Sequence, residues 1–287
     1  MEIKFEKFIQ KTFIIVCLAL VGLLASCSNK HRARADRSQV TVTIEPLRFL
    51  VERIAGDKME VRVMVPQGAS PETYEPTARQ MMQLSESMAY FKVGELGFER
   101  SWMKRLEENA PKTSFVNVSE GIHLMHSSDG HLDPHTWMSV SNVRIMAKNI
   151  FKALAGLDRR DSSYFHDNYK SFLCQLDTLD IQVRRNINGS AGRSFLIYHP
   201  LLTYFAHDYG LEQISLEQEG REPSAAQIKQ IIAKSKSAKV QVFFMQKEYS
   251  KRNVSVVANS LGVKMCNIDP LGYDWCKNML HISQNLK

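Results

Sequence analysis

Two stretches in which short β-branched segments alternate with amphipathic ones flank a single long run that contains neither glycine nor proline. This pattern constrains the fold more than any other feature of the chain. From residue 39 the order reads QVTVTIEP as a strand, LRFLVERIAG as a helix and MEVRVMVP as a strand. TARQMMQLSES follows as a helix capped by Thr77, and then MAYFKVG, GFERSWMKRLEENA and TSFVNVS as strand, helix and strand. Such alternation argues for a parallel sheet with helices on both faces.

After Asn142 the pattern changes. SNVRIMAKNIFKALAGL reads as one helix. DSSYFHDNYKSFLCQLDTLDIQVRRNI reads as another of about 27 residues, longer than the ~8–20 of most globular helices. Its apolar residues Phe165, Tyr169, Phe172, Leu173, Leu176 and Leu179 keep helical spacing. Beyond it the alternation resumes. RSFLIYH, LEQISLE, KVQVFFMQ and VKMCNID are strands, NVSVVANSLG is a helix, and PSAAQIKQIIAKSKS is a helix opened by a capping box, Ser224 with Gln227. The expected class is α/β: two lobes of parallel sheet joined by one long rigid spine helix.

The amino-terminal region stands outside that fold. Lys4, Lys7 and Lys11 precede the apolar run FIIVCLALVGLLA, which is shorter than the roughly 20 residues of a bilayer span and suits an export signal. The run ends in LASC, which resembles a bacterial lipobox with Cys27 as the lipidated residue, a reading favoured because the cysteine sits at the expected end of the run; an ordinary signal peptide or an uncleaved anchor with a chance cysteine is the alternative. The polar, basic segment SNKHRARADRSQ reads as a tether. The chain thus divides into a signal peptide at 1–26, a tether at 27–38, a first α/β lobe at 39–160, a linking helix at 161–188 and a second α/β lobe at 189–287. It is expected to be an exported monomer, anchored by lipid on the periplasmic or extracellular face of a bacterial membrane.

Composition removes several classes. At 44% hydrophobic and 23% charged the chain is ordinary for a globular protein. The net charge is +7, but no block of Lys and Arg interleaved with aromatics occurs, so nucleic acid is not an expected partner. Apart from Cys17 and Cys27 the cysteines are Cys174, Cys266 and Cys276, with no CxxC spacing for a thiolate metal site. Whether Cys266 and Cys276 pair in an oxidising compartment is open from sequence.

Four residues with metal-binding chemistry sit at or near the carboxyl ends of expected strands, where open parallel sheets bind ligands. They are Glu72 in SPETYEPT, His135 in DPHTW, His199 after FLIYH and Asp269 after VKMCNI, two from each side of the spine. Two neutral imidazoles and two carboxylates carry a charge of −2, which matches a divalent cation. Zn²⁺ takes such N and O ligands in tetrahedral array, and Mn²⁺ or Fe²⁺ takes them at higher coordination. Taken singly, each has a plain reading: a hydrogen-bonded histidine, a turn-forming aspartate, a solvated glutamate.

VPQGASPETYEPTARQM, DPHTW, YHPLLTYFAHDYGL, EPSAAQIKQII and IDPLG together resemble the cluster A-I solute-binding proteins of bacterial zinc and manganese ABC transporters, from about Gln39 onward and in the family's order. The resemblance implies a metal in the cleft between the lobes and a membrane permease as partner. It implies His135, His199 and Asp269 as ligands, and Glu72 where the family commonly has histidine. Only this alignment favours Glu72 over Glu75. Zn²⁺ is the first expected cargo, with Mn²⁺ or Fe²⁺ as alternatives. His123, His126 and His131 form either a thin version of the family's histidine-rich capture loop or a polar loop with chance histidines. The chain is expected not to be an enzyme; a zinc-dependent hydrolase and a metal-stabilised surface adhesin are the competing readings.

Expressed with its signal in a bacterium, the wild type should partition into the detergent phase of a two-phase extraction and Cys27→Ser should not. Equal partitioning removes the anchor.

Overall fold

The computed structural model describes residues 38–127, 130, 132–188, 193–217, 221–246 and 251–286. The signal, Cys27, the tether up to residue 37 and His131 lie outside the described residues. The first sheet holds β1 (Ser38–Val42), β2 (Met59–Val63), β3 (Ala89–Lys92) and β4 (Ser114–Asn117) in the order β2-β1-β3-β4. The second holds β5 (Ser194–Ile197), β6 (Glu212–Ser215), β7 (Val242–Met245) and β8 (Lys264–Asn267) in the order β6-β5-β7-β8. β1 pairs parallel with β3 and β3 with β4, while β5 pairs parallel with β6 and with β7, and β7 with β8. Each sheet therefore repeats one topology, its first strand flanked by its second on one side and its third on the other. The strand order reverses at that first strand, which is where such sheets open a crevice.

The helices of the first half are α1 (Glu45–Ala55), α2 (Ala78–Ser85), α3 (Gly97–Asn109) and α4 (Val140–Leu157). The spine is α5 (Ser162–Asn188), 27 residues long. It buries Phe165, Phe172, Leu176, Leu179, Val183 and Ile187 along one stripe, packed on α1 and α4 and on the last helix. Tyr169 and Leu173, expected on the same stripe, lie at its half-buried edge. The second half adds α6 (Thr203–Tyr209), α7 (Ala225–Ser237), α8 (Lys251–Leu261) and α9 (Trp275–Gln284). Among the described residues no helix is long and apolar enough to cross a membrane.

Local chemistry accounts for most boundaries. Thr77 and Ser224 each form a full capping box, with Gln80 and Gln227. Three sequence expectations shift. The first strand stops at Val42 rather than running to Pro46, because Pro46 opens α1, where its missing N–H costs nothing. Helix α6 has only 7 residues, too few for a period to register. Helix α9 begins at an Asp274 cap that accepts from the Lys277 N–H at 3.3 Å; it was not anticipated.

One continuous hydrophobic cluster includes β1, β3, the spine, β5 and α9, so the core does not stop at the boundary between the sheets. Two fully buried indoles fasten it there. Trp137 Nε1–H donates to the Pro270 carbonyl at 2.9 Å, and Trp275 Nε1–H donates to the Trp137 carbonyl at 2.8 Å. Both rings are 1% exposed. Trp275→Phe would keep an aromatic ring, smaller than the indole, but leave the Trp137 carbonyl without its donor. Urea unfolding should show a loss of about 1–3 kcal/mol, the cost of an orphaned buried polar group. Wild-type stability would mean the bond contributes nothing.

Candidate metal centre

Glu72 stands on a loop that leaves β2 and returns over the start of α3. There the Phe98 N–H donates to the Pro71 carbonyl at 2.8 Å and the Gly97 N–H to Glu72 Oε2 at 3.1 Å. His135 follows a tight turn in which Asp133 Oδ1 accepts both the His135 backbone N–H, at 2.8 Å, and its Nδ1–H, at 2.6 Å. His199 comes two residues after β5, and its Nδ1–H donates to Glu217 Oε2 at 3.0 Å. Asp269 follows β8 in a turn closed by the Gly272 N–H on the Asp269 carbonyl, and its own N–H donates to Asn278 Oδ1.

These four residues, brought from four strand ends and both sheets, line one cavity of about 190 Å³. That is below the ~300–1,000 Å³ of sites for drug-sized ligands. The rings of His135 and His199 meet edge to face with centroids 5.3 Å apart. Their side chains are 12% and 23% exposed, so both are shielded yet reachable. Among the described residues, no three His, Cys, Asp or Glu side chains are gathered at metal-ligand spacing; the four share a cavity rather than a closed shell. Glu75 is exposed and stands outside the cavity wall, as do His123 and His126.

Three residues that the sequence reading passed over belong to this region. Asp133 and Glu217 each engage one histidine Nδ1, which sets that ring's tautomer. Burial opposes the charge on Asp133, but its interaction with His135 holds its carboxyl below the usual range. The signals were present: Asp133 is two residues before the histidine, and Glu217 lies two residues past β6, which neighbours β5. Gln246, just past β7, is the third. It lines the cavity with its buried Oε1 unpaired among the described residues.

Cys174, Cys266 and Cys276 are free thiols, so the pairing left open above is not made. Burial raises Cys266 and pushes Cys276 up to about 11, which keeps both protonated and unlike metal-binding thiolates.

The Asp133 turn is tied across the chain by Tyr204, whose hydroxyl donates to the Asp133 carbonyl at 2.8 Å and accepts from the Met125 N–H at 3.1 Å. Burial pushes this phenol up to about 12, so it stays a donor. Tyr204→Phe should speed Met125 amide exchange and lower unfolding free energy by about 1–3 kcal/mol. Unchanged exchange would detach Tyr204 from the turn.

Two α/β lobes of like topology, on one spine and with a small cavity lined by side chains from both, define a two-lobed solute-binding protein. Residues 40–287 match the family described as zinc-uptake complex component A, periplasmic, and the chain belongs to that family. A crystal structure of ZnuA matches with a TM-score of 0.82 and 34% identity, over 87% of this chain and 97% of that one. Among curated relatives, the manganese ABC transporter substrate-binding lipoprotein PsaA of Streptococcus anginosus is 28% identical over 88% of this chain and 86% of that protein. The high-affinity zinc uptake system protein ZnuA of Bacillus subtilis (strain 168) is 25% identical over 91% and 87%. The iron ABC transporter substrate-binding lipoprotein MtsA of Streptococcus pyogenes serotype M1 is 28% identical over 88% and 86%.

Proposed function

We propose that this protein captures a divalent transition-metal ion outside the cytoplasm, held to the membrane by lipid on Cys27, and passes the ion to the permease of an ABC transporter. The observation that carries the reading is the convergence of Glu72, His135, His199 and Asp269 on one small cavity. The cargo is Zn²⁺ first, with Mn²⁺ and Fe²⁺ as the alternatives that relatives' names support.

Each lobe supplies one imidazole and one carboxylate. The histidines offer Nε2, because their Nδ1 atoms are engaged by Asp133 and Glu217. The two carboxylates balance the ion's charge, which limits the cost of taking it out of water. Binding draws the four side chains inward from the cavity wall, by rotation about their own bonds. A hydrolase would need an open metal position and a nearby base. Four protein ligands fill a tetrahedral shell, and Glu75, the second acid of the SPETYEPT loop, is exposed outside the cavity wall. Transport without catalysis is therefore the better reading.

The test is a competition titration against a chromogenic chelator. His135→Ala and His199→Ala should each weaken binding by at least ~10-fold while the protein stays folded, since removing even an outer partner of a ligand costs that much. Glu72→His should raise the zinc-over-manganese affinity ratio, because imidazole suits Zn²⁺ and carboxylate oxygen suits Mn²⁺. Glu72→Gln should weaken both metals, and Glu75→Gln should do far less. Wild-type affinity in either histidine variant removes that residue from the site. A larger loss from Glu75→Gln than from Glu72→Gln reverses the reading of the loop. Metal analysis of protein taken from its native host identifies the cargo.

A further inference from the structure

Gly97 is the first residue of α3, and its backbone conformation does not call for glycine. It is absent from the glycines with positive φ, so an L side chain would meet no backbone strain there. Alanine is the better helix former, so glycine at this position weakens the helix. What does call for glycine is Glu72. A Cβ built on Gly97 would overlap Glu72 Oε2 outright and would approach the Glu72 carbonyl oxygen to 2.9 Å and its Cα to 3.1 Å.

The same residue also grips what it makes room for. The Gly97 N–H donates to Glu72 Oε2 at 3.1 Å. Leu96, the cap residue of α3, provides no side-chain hydrogen bond, so the carboxylate of Glu72 takes the place of a local cap. The other acid in the cavity is arranged alike. Gly272 also lies outside the positive-φ set, and a Cβ there would stand 2.9 Å from Asp269 Cγ and Oδ2. Each carboxylate of the proposed site thus rests against a glycine whose missing side chain, not its backbone freedom, is what matters.

The geometry points to Gly97 as a positioning residue for metal capture: its bare α-carbon admits the Glu72 carboxylate to the start of α3, and its N–H holds one oxygen, leaving Oε1 for the ion. This rests on the proposed function, because Glu72 must be a ligand for its placement to matter.

A double-mutant cycle tests it, using Zn²⁺ and Mn²⁺ competition titrations on wild type, Gly97→Ala, Glu72→Ala and the double variant. Gly97→Ala should weaken binding by ~10-fold or more, as loss of a ligand-orienting partner does. In the Glu72→Ala background the same change should alter affinity by less than ~2-fold, because the residue through which Gly97 acts is gone. A merely structural role would give equal losses in both backgrounds, and that result overturns the inference. So does wild-type affinity in Gly97→Ala. Should Gly97→Ala not fold, amide exchange at Gly97 decides instead: it should quicken in Glu72→Ala, and unchanged exchange overturns the inference. If wild type binds neither metal, the proposed function fails first, and that outcome is separate from failure of the cycle.

Discussion

The reciprocal pair of indole hydrogen bonds, Trp137 to the Pro270 carbonyl and Trp275 to the Trp137 carbonyl, is the constraint on which the rest of the structure depends. Trp137 is two residues from His135, and Pro270 directly follows Asp269. The contact that fastens one half of the chain to the other therefore also sets the separation of an imidazole and a carboxylate from opposite lobes. In a dry interior such bonds are costly to break, since each orphaned group loses both its partner and its water. The spine and the continuous core add a second restraint. Together they favour capture by side-chain rotation over capture by a wide closing of the lobes.

Around that fixed frame the polar groups are ordered in two layers. Asp133 and Glu217 orient the histidines, while Gly97 and Asn278 hold the loops that carry the acids. The layer behind the cavity is as specific as the cavity wall. A histidine free to flip would spend part of its time offering an N–H to a cation, and a free glutamate would have to be ordered at the moment of binding. Tyr204 extends the layer by joining the Asp133 turn to the chain at Met125.

The proposed donor set bears on which metal is carried. Two neutral nitrogens and two carboxylates form a chemical middle ground between the three-histidine sets suited to zinc and the oxygen-rich sets suited to manganese. The names of relatives span zinc, manganese and iron at 25% to 28% identity, so kinship at this distance does not choose among them. Zinc's greater intrinsic affinity for such donors means that a titration at equal metal concentrations favours it whatever the physiological cargo. Gln246 adds a neutral oxygen at the cavity wall, a donor that would bring coordination without charge.

Much of the architecture was legible in the sequence, because periodicity and capping are local. The 27-residue spine, the eight strands, the cap at Thr77 and the box at Ser224 follow from side-chain spacing and end chemistry within a few residues. The short helix at Thr203–Tyr209 and the helix at Trp275–Gln284 escaped that reading, the first because 7 residues span too few turns to register a period. Residue types with metal-binding chemistry could also be named at strand ends from sequence. Their company could not. That Glu72 rather than Glu75 reaches the cavity, and that His123 and His126 do not, depends on how a loop folds back over the start of α3. Asp133 pairs with a histidine two residues away, but Glu217 meets His199 from a neighbouring strand and Gly97 meets Glu72 across 25 positions of chain. Local sequence determines which elements form, since their energies are settled within a few residues. Which side chains share a cavity is decided by contacts between distant segments, and only the packed tertiary structure brings those together.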